Sequence, residues 1–273
     1  MLRLQTSDGW WLITHPDHAR LAGDFASCWG NELFAPPDPR DHVLHGIYTH
    51  DDGWRGRDMH PSITRQGKPS AFSTELVGRY SAFEEIDLEA YLAVRRSAVN
   101  LIAQQDPYAA ILISMHTYNL LSERADRSTI QPAKLPLLDE FLVEQRALQH
   151  QLQEQLSSRC NFPEAQSGWP ALTEHFRLLQ ATDNLSLLSC VDYAGDATLL
   201  HPLLTHSGES LEVKVTHIGE RSFRLTPYPL SETNLNFSVP ARFVRGHEFT
   251  SSDELESAFN SAEPTPIEVR ISA

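Results

Sequence analysis

Polar residues placed where a helix should be apolar constrain this chain more than any other feature. Between Pro16 and Gly30, Leu21, Ala22, Phe25 and Trp29 recur at helical spacing. His18 precedes the first three by three, four and seven positions, so it shares their face. A second helix, Arg40 to about Asp51, has the stripe Val43, Leu44, Ile47 and Tyr48, and His50 and Asp51 extend it at the same spacing. In a helix over Pro107–Leu121, His116 continues Ala109, Leu112 and Ile113. In another over Ala171–Val191, Asp183 lies between Phe176 and Leu179 on one side and Leu187 and Cys190 on the other. A carboxylate on a core-facing stripe is costly unless it is paired or holds a metal. Two such carboxylates and several imidazoles on separate helices relieve one another around a shared cation. Mixed His and carboxylate donors suit manganese, iron or zinc.

Two more helices are readable at Leu88–Gln104 and Pro136–Ser158, and Gly9–Thr14 reads as a short strand. After Asp192 the period changes to two: Leu211, Val213 and Val215 alternate with polar residues, as do Phe223 and Leu225, Phe237 and Val239, and Ile267, Val269 and Ile271. Ser251 and Glu254 open a short helix with a capping-box pattern. The expected fold is mainly α. A helical bundle with an N-terminal strand spans residues 1–192, and a small strand-rich α+β appendage spans 193–273, which could recruit the Trp10–Ile13 strand.

The stretch from Gly53 to Tyr80 has no clear period, and a loop of that length inside a compact domain usually serves a function. It carries Trp54, Arg55, Arg57 and His60, and arginine offers a bidentate fork for phosphate. Arg95 and Arg96 could each reach the same place, but only one side of their helix can turn inward; Arg96 is the candidate here. Gln145 falls on the apolar stripe of the Pro136 helix. Trp54, Arg55, Arg57, His60, Arg96 and Gln145 are therefore the candidate substrate-binding residues.

Charge limits the partners. The chain has 22 Lys+Arg against 36 Asp+Glu, a net charge of −14, which repels duplex nucleic acid and anionic membranes. A local basic patch can still hold a small anionic molecule. Cys28, Cys160 and Cys190 are odd in number and widely spaced, with neither zinc-type spacing nor a disulfide framework. No apolar run has the length of a signal peptide or a membrane span. These features lead us to expect a cytoplasmic protein with no nucleic-acid or membrane partner; a monomer and a homo-oligomer both stay open.

An early helical His, an adjacent His-Asp closing the second helix and a later helical Asp resemble the HD metal-dependent phosphohydrolase superfamily. Here these are His18, His50–Asp51 and Asp183, within Ala-Thr-Asp-Asn-Leu-Ser-Leu. The runs His-Asp-Asp-Gly-Trp at His50–Trp54 and Ile-Ser-Met-His at Ile113–His116 more closely resemble a bacterial family of uncharacterised proteins, over nearly the whole chain. The superfamily resemblance covers the helical part and implies an HD-domain-like bundle. It further implies one divalent ion held by His18, His50, Asp51 and Asp183, and a metal-activated water that attacks a small phosphorylated molecule. Asp51 would help orient that water. His116 is the second catalytic candidate and the only well-placed ligand for a second ion. Asp52 and the following Gly-Trp depart from the usual small or basic continuation of the motif. Two alternatives are an HD-type iron-dependent oxygenase and a non-catalytic ligand-binding or sensory protein.

Overall fold

The computed structural model describes residues 1–78, 87–159 and 162–273. The chain opens with a hairpin, β1 (Leu2–Gln5) and β2 (Gly9–Ile13). It then runs through α1 (His15–Ser27), α2 (Arg40–Thr49), the single turn α3 (Arg55–Asp58), α4 (Leu88–Ala103) and α5 (Pro107–Asn119). A π-helical turn, Leu120–Arg124, extends α5 and is followed by the long α6 (Leu135–Arg159), the short α7 (Glu164–Ser167) and α8 (Trp169–Cys190). The remainder is β3 (Ala197–Thr198), β4 (Leu203–Leu204), β5 (Ser210–Leu211), β6 (Lys214–Gly219), β7 (Ser222–Thr226), β8 (Asn234–Arg245), α9 (Ser252–Ser261) and β9 (Pro264–Ser272). Arg79 and Tyr80, at the end of the long loop, lie outside the described residues, as does Cys160.

Helix starts follow local chemistry. The Thr14 side chain accepts from the Asp17 amide, with Pro16 in the first turn of α1. Asp87 caps α4 through the Glu89 and Ala90 amides, and Asp106 caps α5 through Ala109. Each cap satisfies amides that the helix itself leaves unpaired. Ser251 does the same for α9 through Glu254.

The strands form a seven-stranded sheet in the order β1-β2-β8-β9-β7-β6-β3, with a separate β4-β5 hairpin. All pairings within the large sheet are antiparallel except β7 with β9. The fold is thus mainly helical with a strand-rich C-terminal part, as expected, and the first two strands complete the same sheet. Trp10 pairs with Val244, so the N-terminal hairpin is welded to β8. β1 went unread because Leu2–Gln5 is only four residues long.

One apolar core runs from the helices into the sheet. It includes Phe25, Ile47, Ile113 and Leu185 from the helices, and Phe223, Val239 and Ile267 from the strands. Phe25 of α1 meets Phe237 of β8 edge to face at 4.8 Å between ring centres. α9 covers the sheet elsewhere, with Leu255 and Phe259 packed against Trp10, Leu12 and Val244. A smaller cluster joins Trp54 to Leu88, Leu92, Leu138 and Phe141. α1 is therefore held between the sheet and the helices α2 and α8.

The α1–α2 contact depends on Gly23. A Cβ there would stand 2.2 Å from the Tyr48 ring, whose hydroxyl donates to Asp24 Oδ1 at 2.8 Å. Gly→Ala inside a helix normally stabilises by about 1 kcal/mol; here overpacking reverses the sign. Gly23→Ala should lower stability by roughly 1–3 kcal/mol in urea denaturation. Gly56→Ala, with open space around its Cβ, should change it by less than about 0.5 kcal/mol.

Candidate metal centre

Four helices converge on a buried polar cluster. α1 supplies His18, the end of α2 supplies His50 and Asp51, α5 supplies His116 and α8 supplies Asp183. The side chains of His18, His50 and His116 are at most 2% exposed, while those of Asp51 and Asp183 are 6% and 10% exposed. The two carboxylates are thus the most exposed of the five side chains.

The donor atoms are close together. His18 Nε2 is 3.1 Å from Asp51 Oδ2, and His50 Nε2 is 3.3 Å from Asp183 Oδ1 and 3.9 Å from Asp51 Oδ2. His116 Nε2 stands 4.0 Å from Asp183 Oδ2. Two overlapping groups, His18–His50–Asp51 and His50–His116–Asp183, could each hold a metal ion, and they share His50.

Hydrogen bonds on the far sides of the rings decide which nitrogen faces the cluster. His50 Nδ1 is 2.7 Å from the Ile47 carbonyl, which can only accept, so Nδ1 carries the proton. His18 Nδ1 is 3.0 Å from Ser186 Oγ, which lies 2.8 Å from the Asp183 carbonyl; with the hydroxyl proton on that carbonyl, His18 donates from Nδ1. In their neutral forms both rings turn an Nε2 lone pair toward a carboxylate. Lone pair against anion is repulsive unless a cation or a proton lies between. Among the described residues His50 Nε2 is buried with no aligned hydrogen-bond partner. Outer-side hydrogen bonds that fix a ring in this way are the usual support of a metal-binding histidine. The donor set fits a divalent ion.

Arg95 Nη1 donates to Asp51 Oδ1 at 2.5 Å, and Arg95 Nε donates to the Tyr91 hydroxyl at 3.2 Å. This contact is made possible at Gly53, where a Cβ would lie 2.7 Å from the Val94 carbonyl and 2.8 Å from Ala98 Cβ. Glycine lets the turn after His50–Asp51 press against α4. Despite burial, which acts the other way, Arg95 and His50 hold the Asp51 carboxyl well below its usual pKa. Asp183 is also lowered, chiefly by His50 acting against burial. Burial depresses His50, but the charges of Asp51 and Asp183 outweigh it and raise it to about 9. Burial dominates at His116, lowering it to about 3 and keeping it neutral.

The other predicted residues are spread around this centre. Trp54 is buried and stacked on His15 at 4.5 Å, with Arg95 and Arg57 over its ring at 5.3 and 5.6 Å. Arg55 is exposed and pairs with Asp52, and His60 is exposed and meets Glu256. Arg96 turns outward to Glu144, so the inward side of α4 belongs to Arg95. Gln145 is buried but bonds Ser114. Sequence reasoning missed Ser186 and Gln180, although their spacing of three from Asp183 puts all three on one side of α8.

Fold and site together define a mainly helical protein with two buried His/His/Asp groups able to coordinate a metal ion. The chain belongs to the family described as "Protein of unknown function (DUF3891)", whose model matches residues 1–246. No curated protein and no solved structure matches it. Among the described residues no helix is long and apolar enough to cross a membrane.

A metal must displace the proton on His50, so its affinity should fall as pH drops below about 9, approaching tenfold per pH unit. Calorimetric Zn²⁺ titration near pH 7 in buffers of different ionisation enthalpy should report about one proton released per ion from this group. The metal-free protein should show the opposite trend. The raised His50 pKa adds stability that is fully present below 6.5 and is lost as pH rises through about 9.

Proposed function

We propose that the protein is a metal-dependent hydrolase of a small phosphorylated molecule, with one divalent ion held by His18, His50, Asp51 and Asp183. The observation that carries this is the pair of buried imidazoles, each hydrogen-bonded from behind at Nδ1 and turning Nε2 toward a buried carboxylate at 3.1 and 3.3 Å. The order of these residues along the helices is that of the HD phosphohydrolases, which the chain resembles in its His50–Asp51 pair. A bound divalent ion supplies Lewis acidity, polarising a phosphoryl oxygen and making a water more acidic.

The chain's own residues set the rest. Arg95 engages one oxygen of Asp51 and leaves the other facing His18, which orients that carboxylate. Asp51 is then placed to orient the attacking water, and His116 stands beside Asp183 as the second catalytic candidate. Two carboxylates, one guanidinium and a divalent ion with neutral imidazoles leave one net positive charge, which favours an anionic substrate over a cationic one. Trp54 lies next to Arg95, and Arg57 next to Trp54; both are proposed to contact the substrate, with Arg55, His60, Arg96 and Gln145 as more distant candidates.

The second group, His50–His116–Asp183, favours another reading, a two-iron oxidative enzyme. Metal content separates them. Elemental analysis should find about one equivalent of manganese, zinc or iron per chain, and phosphate release from a panel of small phosphomonoesters should require it. Asp183→Ala should lose the ion and at least ~100-fold in kcat/KM. Two equivalents of iron with oxygen consumption would move the assignment to the oxidative enzyme. Metal binding and ligand-dependent stabilisation without turnover would leave a binding protein.

A further inference from the structure

His116 differs from its two neighbours in what stands behind it. His50 has at Nδ1 a carbonyl that can only accept, and His18 has there a hydroxyl whose own proton is directed to the Asp183 carbonyl. Behind His116 is the amide of Gln180, with Nε2 3.2 Å from His116 Nδ1. Gln180 is fully buried on α8, one turn before Asp183. Its Oε1 is 3.0 Å from His201 Nε2. A primary amide can donate or accept, so either tautomer of His116 could be satisfied by turning it.

The surroundings choose between them. His116 Nε2 faces the ionised Asp183 carboxylate, 4.0 Å away at Oδ2. A proton on Nε2 is attracted to that charge, whereas a lone pair is repelled. With the proton on Nε2, Nδ1 must accept, so Gln180 must present its NH2. Its carbonyl then faces His201, which must donate from Nε2. Every role in the row from Asp183 to His201 follows from the carboxylate at one end. His201 is held at the other end with φ 64, in the left-handed region that few non-glycine residues adopt, and its ring lies 5.6 Å from Phe176.

We propose that Gln180 is a positioning residue that keeps His116 in the Nε2–H tautomer, and so outside the ligand set as a hydrogen-bond donor beside the metal. This rests on the metal centre proposed above. Distance agrees with it. Adjacent ligands around a small divalent ion lie about 3 Å apart. The nearest carboxylate oxygens to His18 and His50 stand at 3.1 and 3.3 Å, whereas the nearest to His116 stands at 4.0 Å. The centre is therefore mononuclear, with a neutral N–H group next to Asp183 that can donate to an oxygen of a bound anion. His201 comes from the β3–β4 connection, so the strand-rich part of the chain completes a hydrogen-bonded row that starts in the helical centre.

The test is a long-range ¹H–¹⁵N correlation spectrum of histidine-labelled protein, metal-free and loaded with Zn²⁺. The His116 signals are those that vanish in His116→Gln. The expected result is the neutral Nε2–H pattern in both states, with Zn²⁺ affinity changed less than about threefold by His116→Gln. Gln180→Glu, with its carboxylate ionised, supplies only an acceptor, so it should draw the proton to Nδ1, free Nε2 and tighten Zn²⁺ binding by about tenfold or more. An Nδ1–H pattern in the wild type, or a tenfold or larger loss of Zn²⁺ affinity in His116→Gln, would overturn the proposal. If the wild type bound no Zn²⁺, the metal reading would fail, while the metal-free spectrum would still decide whether Gln180 sets the tautomer. That spectrum needs no variant of Gln180 to fold.

Discussion

Two carboxylates buried among helices are the condition that the rest of the structure answers. Asp51 and Asp183 are almost out of water, where an uncompensated charge is prohibitive. Arg95 compensates one oxygen of Asp51, and the remaining lone pairs face imidazole nitrogens. Without an ion, a proton on His50 must supply the missing positive charge, which explains its raised pKa. A divalent cation can do the same with shorter contacts and more charge. The same arrangement thus serves a metal-free protein by protonation and a loaded one by coordination, and exchanging one for the other releases a proton.

α8 organises this exchange. Gln180, Asp183 and Ser186 follow at intervals of three, so one strip of helix supplies a carboxylate together with the groups behind two of the three histidines. Ser186 is bonded to the carbonyl of the same Asp183 whose carboxylate faces the centre. A shift of α8 would consequently move a ligand and the supports of two rings together. Few local rearrangements can loosen one donor while leaving the others in register, which favours a rigid centre over an adaptable one.

The helical half of this arrangement was legible because burial imposes a period. His18, His50, Asp51, His116 and Asp183 announced themselves as polar residues on apolar stripes, and all five meet in space. The helix ends were also readable, from Thr14, Asp106 and Ser251 as caps. Arg95 was harder. Adjacent arginines point in directions about 100° apart on a helix, and the choice between Arg95 and Arg96 depends on how α4 is rotated, which Gly53 and its contact with Val94 and Ala98 help to set. Gln180 and Ser186 were invisible for a different reason. A buried glutamine or serine has many uses, and only the position of His116 or His18 gives it one. His201 could not be found at all, because it lies in a short connection between two-residue strands with no period to read.

The sheet takes part in the site through α1. Phe25 anchors that helix on Phe237 of β8, and His18 lies two turns earlier on the same side of the helix, where it meets Asp51 and Ser186. Tight packing transmits displacement, since a close-packed interior has little free volume to absorb it. β8 is in turn paired with β2, which leads through Thr14 directly into α1. The helix that carries His18 is thus held by the sheet at its start through the chain and along its length through the core. With His201 reaching in from the β3–β4 connection, the strands brace the centre from two sides. For that reason the seven-stranded sheet is better understood as part of the wall of the site than as a cap on a bundle that could hold its geometry alone.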